Sequence, residues 1–203
     1  MIALMTLPAL CATAEGLDAD ALIARLAKPA PASIAFREVR FSSLVNEPLI
    51  VSGELAYAGP ASLDRRVSAP YRETIEIRGE SVRVEREGER PRTFGLNRAP
   101  ELRGLLSGFS GLLTGDPAAI ERSFRADASG SDDSWTLQLT PADARAQRRL
   151  QQIVVSGRGD VPRCFTMLTA DGGASILLLG DMARRELPAP TTRDALEQLC
   201  RAG

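Results

Sequence analysis

The chain of 203 residues contains no histidine. That single absence removes every Ser-His-Asp or Cys-His catalytic set, and with it the commonest zinc and iron ligand. Lysine is nearly absent: Lys28 stands alone against 24 arginines, a skew that a base-composition bias explains without any selected guanidinium chemistry. Three cysteines, Cys11, Cys164 and Cys200, are too scattered for a CxxC metal or redox motif. No GxGxxG, Walker A or GxSxG pattern occurs, so the nucleotide-binding and hydrolase readings have no support. Carboxylate pairs such as Asp132-Asp133 fall in polar turns, where solvation rather than acid–base chemistry is expected. The expectation is a protein that is not an enzyme and takes no cofactor or metal.

Charge excludes a further class. A net charge of -1 gives no basic surface for gripping nucleic acid. Arg158-Gly159-Asp160 matches an adhesion tripeptide, but a charged glycine turn between strands arises freely. No stretch approaches the ~20 continuous apolar residues that span a bilayer. What is present is 44% hydrophobic residues over a length that suits one domain with a sizeable core.

Residues 1–14, MIALMTLPALCATA, form an uncharged apolar run closing on Ala12-Thr13-Ala14. A short apolar stretch followed by small-x-small residues is the pattern of a secretory signal, cleaved before Glu15. No positive charge precedes the run, the mark of a start truncated or misassigned. The alternative is an apolar helical turn packed on the domain. Leu10 occupies the place where a lipobox needs a small residue, so Cys11 is not read as a lipidation site. Export leaves Cys164 and Cys200 as an even pair in an oxidising compartment, where such pairs are usually bridged. Two buried free thiols are the other reading.

Glu15 to Lys28 places Leu17, Ala21, Leu22 and Leu26 on one helical stripe, which Pro29 and Pro31 stop. The period then changes to two. Leu49, Val51, Gly53, Leu55 and Tyr57 alternate against Ile50, Ser52, Glu54 and Ala56 up to Gly59-Pro60, and Leu63, Val67 and Ala69 form a weaker set. Ile75 and Ile77, then Val82 and Val84, read as a hairpin turning at Gly79. Between Ile34 and Phe41 the apolar face switches, from Ile34 and Phe36 to Val39 and Phe41, which predicts a bulge or strong coiling. The second half resumes the alternation through Trp135, Leu137 and Leu139, then Ile153 and Val155, then Phe165 and Met167. It closes on a buried strand over residues 174–179 and a helix capped by Thr191 or Thr192. Short turns between half-apolar strands predict one α+β domain, mainly β, built as an antiparallel meander over residues 15–203.

Between the two halves lies residues 97–114, NRAPELRGLLSGFSGLLT, with Asn97 as a helix cap. Gly104, Gly108, Gly111 and Gly115 share one face of that helix; Leu105, Leu106, Phe109, Leu112 and Leu113 fill much of the rest. Each interior glycine costs roughly 1 kcal/mol relative to alanine, so the helix is marginal alone. Two readings stand: a core helix with glycines for close strand approach, or a mobile apolar lid over a cavity. Asp116-Pro117 then starts a separate short helix.

The order of these elements, ALIARLAKP, IAFREVRF, GELAYAGP, SAPY, ETIEIRGESVRVE, LRGLLSGFSGLLTGD and SFRADASGSDDSWTLQLTP, resembles the LolA-type outer-membrane lipoprotein carriers and their divergent relatives. The resemblance implies an unclosed antiparallel β-barrel of about 10–11 strands, capped by helices around an apolar cavity for acyl chains. It implies a monomeric periplasmic carrier of an acyl lipid, lipoprotein or lipid-linked envelope product, with inner- and outer-membrane transfer partners. The expected cavity and lid residues are Leu49, Val51, Leu55, Tyr57, Leu105, Leu106, Phe109, Leu112, Leu113 and Trp135. One departure matters. The arginine that commonly follows the second strand in lipoprotein carriers is missing from Ala58-Gly59-Pro60, and Arg65 and Arg66 lie a strand further on. Relatives serving lipid-linked or polyene-type envelope products are therefore the better comparison. An envelope sensor or adaptor that uses the same fold to bind a protein is the alternative function. Protein recovered from a native-like periplasm should begin at Glu15 by intact-mass measurement; recovery with residues 1–14 in place would refute the cleavage site.

Overall fold

A computed structural model describes residues 17–202, apart from the side chains of Pro100, Glu101, Leu102 and Leu105. The expected leader and Cys11 lie outside the described residues. Helix α1 (Ala19–Arg25) begins where the Asp18 carboxylate accepts the backbone N–H groups of Asp20 and Ala21. Strands β1 (Ala32–Phe41), β2 (Leu49–Gly59), β3 (Ser62–Ala69), β4 (Glu73–Arg78), β5 (Ser81–Arg86) and β6 (Arg92–Gly95) follow as a meander. Helices α2 (Pro100–Thr114) and α3 (Pro117–Glu121) interrupt it. Then come β7 (Phe124–Ser131), β8 (Ser134–Pro141), α4 (Ala144–Gln147), β9 (Leu150–Arg158), β10 (Val161–Thr169), β11 (Ala174–Leu179) and α5 (Arg193–Ala202).

The eleven strands form one antiparallel sheet in the order β6-β5-β4-β3-β2-β1-β11-β10-β9-β8-β7. The sheet is not closed, since β6 and β7 are its two edges. It curls nonetheless: side chains from β4, β5 and β6 line one cavity together with side chains from β9, β10 and β11. The fold is thus mainly β with helices, as the alternation predicts.

The inner face packs against the first three helices. Leu22, Ile23 and Leu26 from α1, Leu106, Phe109 and Leu112 from α2, and Ile120 from α3 join one core with alternate residues of the strands. A smaller cluster covers the outer face of the sheet's centre: Val39, Cys164, Ile176, Leu178, Met182, Leu196 and Cys200. Strand β11 is buried on both faces, which is why it reads as an unbroken apolar run.

Two local expectations need correction. The register of β1 runs without a slip against both β2 and β11, so no bulge explains its apparent change of face. Phe36 and Glu38 both face inward, while Val39 packs into the outer cluster. The face never switches; a buried glutamate takes an inner position where an apolar residue was expected. Asn97 caps nothing either. It sits in a 3-10 turn over Leu96–Arg98, and α2 starts after Ala99 with Pro100 in its first turn. At the other end of the chain, Thr192 caps α5 through its hydroxyl oxygen, which accepts the Ala195 N–H at 3.3 Å.

A disulfide joins Cys164 of β10 to Cys200 of α5, with Cα atoms 5.8 Å apart, and fastens the terminal helix over the outer cluster. It closes a loop between residues 36 apart. Such a loop corresponds to about 3–4 kcal/mol in the chain-entropy picture. The double substitution Cys164→Ala, Cys200→Ala should lower the unfolding free energy by about that amount in urea titration. Non-reducing peptide mapping of exported protein should recover the linked peptides; two freely alkylatable thiols would refute the bridge.

Candidate functional site

Helix α2 roofs a cavity of about 420 Å³ inside the curled sheet. Its glycines explain how closely it lies. A Cβ on Gly104 would stand 2.8 Å from the Leu150 side chain, and one on Gly108 would stand 3.1 Å from the Phe165 ring. One on Gly111 would stand 2.2 Å from Ile120. These three glycines face protein, so a side chain at any of them requires its neighbour on β9, β10 or α3 to shift, most of all at Gly111. Gly115 ends the helix at φ +61°, and its N–H bonds to carbonyls of the last turn.

The stripe beside the glycines lines the cavity. Phe109, Leu112 and Leu113 form its roof, while Leu55 and Tyr57 of β2, Leu63 of β3, Val155 of β9, Phe165 of β10 and Leu179 of β11 form walls and floor. The Phe109 and Phe165 rings meet with centroids 5.0 Å apart. At the mouth the Lys28 ammonium pairs with Asp160 at 2.7 Å, and the Lys28 N–H donates to the Leu113 carbonyl at 2.9 Å. The hydrogen bond that the Lys28 ammonium donates to Asp160, together with its charge, holds the Asp160 carboxyl below the usual range. A second pair, Arg25 with Asp132 at 2.6 Å, ties α1 to the β7–β8 turn. Within Arg158-Gly159-Asp160, Asp160 thus bonds to the segment after α1, while Arg158 and Gly159 donate to carbonyls of the β7–β8 turn. The pairs are exposed and contribute little stability each.

Five of the expected residues meet on this cavity: Leu55, Tyr57, Phe109, Leu112 and Leu113. Val51 and Leu106 are buried in the surrounding core and do not line it. Trp135 is likewise a core residue. Its indole fills the space over Gly157, where a Cβ would clash at 2.3 Å, and its N–H donates to the Gly159 carbonyl at 2.9 Å. Leu49 keeps the inward phase of β2 but lies at the strand's beginning, 42% exposed and away from the cavity. The Leu105 side chain lies outside the described ones. Sequence reading missed Leu63, Val155, Phe165 and Leu179 as wall residues, although the last three each stand in phase with an apolar neighbour two positions away; Leu63 is followed in phase by Arg65.

Further along the same inner face the lining becomes charged. Arg65, only 3% exposed, pairs with Glu38, and its Nη1 stands 3.5 Å from a Glu73 oxygen. Its guanidinium lies over the Phe36 ring, 4.9 Å from the centroid. Arg40 bonds to Glu38 at 2.8 Å, Arg86 bonds to Glu73 at 2.5 Å, and the Ser175 hydroxyl donates to Glu38. Burial pushes the Glu38 carboxyl up, but the Arg40 hydrogen bond, the charges of Arg65 and Arg40, and Ser175 outweigh it and hold it below the usual range. These groups line a second chamber of about 650 Å³. The legible signal was phase: Glu38, Arg65 and Glu73 each stand two residues from an inward apolar side chain.

Among the described residues, no cluster of three or more metal-ligating side chains occurs, and no helix is long and apolar enough to cross a membrane. What the arrangement can do is enclose an apolar group beside a charged chamber.

The family model described as outer membrane lipoprotein carrier protein LolA-like matches residues 11–203. Among solved structures, the crystal structure of a LolA superfamily protein from Nitrosomonas europaea is similar in outline, at 14% identity and a TM-score of 0.45. That match covers 87% of this chain and 98% of the other. No curated protein matches the sequence.

Gly111→Ala tests how closely the roof is seated. Helix propensity alone favours the change by roughly 1 kcal/mol. The 2.2 Å encounter with the buried Ile120 side chain opposes it. Overpacking of this kind costs about 1–3 kcal/mol, so thermal unfolding should show a net loss of stability. A stabilised variant would mean that α2 stands off from α3.

Proposed function

The chain belongs to the LolA-like outer membrane lipoprotein carrier family, and from that premise we propose that it is a periplasmic carrier that holds a lipid or lipid-linked cargo and moves it toward the outer membrane. The observation that carries this reading is the roofed apolar cavity. Its volume falls within the range of small-molecule sites, and apolar side chains dominate its lining. Each methylene of an acyl chain withdrawn from water contributes about 0.8 kcal/mol, so a long chain binds without covalent chemistry. The role is shuttling rather than catalysis.

A carrier must also let go. The roof is a helix weakened by three interior glycines, and at the mouth its Leu113 carbonyl accepts a hydrogen bond from the backbone N–H of Lys28, whose exposed ammonium in turn pairs with Asp160. Its hold on cargo is therefore set by packing, which a donor or acceptor surface can disturb. On this reading the transfer partners are proteins at the inner and outer membranes, and the carrier works as a monomer.

Leu113→Asp is the direct test, because Leu113 lines the cavity yet is only half-buried, so the fold tolerates a charge there. A fluorescent methyl ester of a 16-carbon fatty acid should bind the native protein. The variant should bind it at least tenfold more weakly, with an unchanged circular dichroism spectrum. Phe109→Asp should go further, at a cost in stability, since Phe109 is 8% exposed. Mass spectrometry of gently extracted periplasmic protein should find a copurifying lipid. An unbound ester and an empty protein would overturn the carrier reading.

A further inference from the structure

We infer that the charged chamber receives the acidic head group of the cargo, so that the ligand is an anionic amphiphile. This inference rests on the carrier reading and names the class of molecule carried.

The two chambers are neighbours on one surface. Along β3 the inward residues Leu63 and Arg65 line the apolar and the charged chamber in turn. Phe165 and Met167 of β10, and Leu179 and Leu177 of β11, divide in the same way. Successive inward positions on a strand are about 7 Å apart, so only one layer of side chains separates the chambers. Phe36, with the Arg65 guanidinium over it, stands in that layer. A molecule with its tail under α2, if its other end passes that single layer, meets Arg65 within a few ångströms.

Arg65 is built to receive something. It is almost wholly buried, yet its Nη1 has no hydrogen-bond partner. The nearest carboxylate oxygen, on Glu73, stands at 3.5 Å, too far for a normal hydrogen bond. A buried guanidinium N–H without an acceptor is costly to maintain, and only an acceptor satisfies it. The chamber is lined by four arginines, Arg40, Arg65, Arg86 and Arg92, and three carboxylates, Glu38, Glu73 and Asp171, while a fourth carboxylate, Glu89, pairs with Arg86 and Arg92 at 3.5 Å. The ionised groups are therefore matched, and the preference for an anion comes from the free Arg65 N–H, because a guanidinium bonds a charged acceptor about twice as strongly as a neutral one. A carboxylate and a phosphodiester share the required chemistry.

Competition against the bound fluorescent methyl ester tests this without altering the protein. The competitors share a 16-carbon chain: palmitic acid, palmitoyl lysophosphatidylglycerol, the zwitterionic palmitoyl lysophosphatidylcholine, and methyl palmitate. At least one monoanionic competitor should displace the ester at a concentration tenfold or more below the other two, and which one does so identifies the head group. That preference should collapse in the charge-balanced double variant Arg65→Met, Glu38→Gln, checked for folding by circular dichroism, and return in part with Arg65→Lys. Equal competition by anionic and uncharged chains in the native protein overturns the head-group assignment while leaving the carrier intact. An ester that never binds removes the carrier reading and this inference together.

Discussion

The antiparallel pairing of β1 with β11, residues Phe36–Phe41 against Ala174–Leu179, is the contact on which the architecture depends. Every other neighbour in the sheet is also a neighbour along the chain. Without this pair the molecule would be two separate meanders, and no concave surface would exist to enclose anything. Non-local pairing of this kind carries a loop-closure cost that nearby hairpins escape. It is repaid by burial on both faces: Phe36 and Leu177 go to the inner core, Val39, Ile176 and Leu178 to the outer one. The disulfide lies beside it, tying α5 over the strand next to β11. Sealing the outer face of the central strands frees the inner face to curve and carry a cavity.

Most of this was legible as period and punctuation. Alternation located the strands except β6, whose four residues are too few to show a period. Helix α1 ends at Arg25, short of the prolines expected to stop it. Asp116-Pro117 opened α3, where the Asp116 carboxylate accepts the Ala119 N–H at 3.2 Å. The closing strand and its capped helix followed from an apolar run and Thr192. What misled was the assumption that inward positions are apolar. At Glu38 that assumption turned a regular strand into an expected bulge, and at Arg65 it left β3 as a weak set. Trp135 misled in the opposite direction. A large aromatic suggests a binding wall, yet this one is used to fill the space above Gly157, a fact that depends on which strand lies beside it. Exposure at a strand's end, as at Leu49, is equally invisible to periodicity. Alternation fixes the face of a residue and says nothing of its depth along the barrel.

Buried ion pairs are weak evidence for stability, since apolar residues of similar size often serve as well or better. The inner face could have continued as leucine and valine, as it does around α2. Instead it carries Glu38, Arg65 and Glu73, buried to within a few per cent, and pairs the two carboxylates with Arg40 and Arg86 at the rim. The half-satisfied state of Arg65 is the informative feature, because a purely structural network gains by closing every bond. Segregation of the apolar and charged chambers along single strands gives the interior the polarity of an amphiphile.

The two readings of the glycine-rich helix are compatible once its two faces are separated. Gly104, Gly108 and Gly111 seat α2 against Leu150, Phe165 and Ile120, which is what a core helix requires. The neighbouring stripe of Phe109, Leu112 and Leu113 covers the cavity, which is what a lid requires. Three interior glycines subtract roughly 3 kcal/mol from intrinsic helix stability. Burial of Leu106, Phe109 and Leu112 returns about 1.5–3 kcal/mol each, so tertiary packing keeps the helix formed. The Phe109 contact is made with Phe165 of the cavity's own wall. Anything that spreads the walls therefore loosens the roof at the same time, and the helix yields at a lower cost than an alanine-rich one. Close seating and easy release come from the same residues, because glycine removes both the side chain that would hold the helix away and the backbone stiffness that would keep it shut.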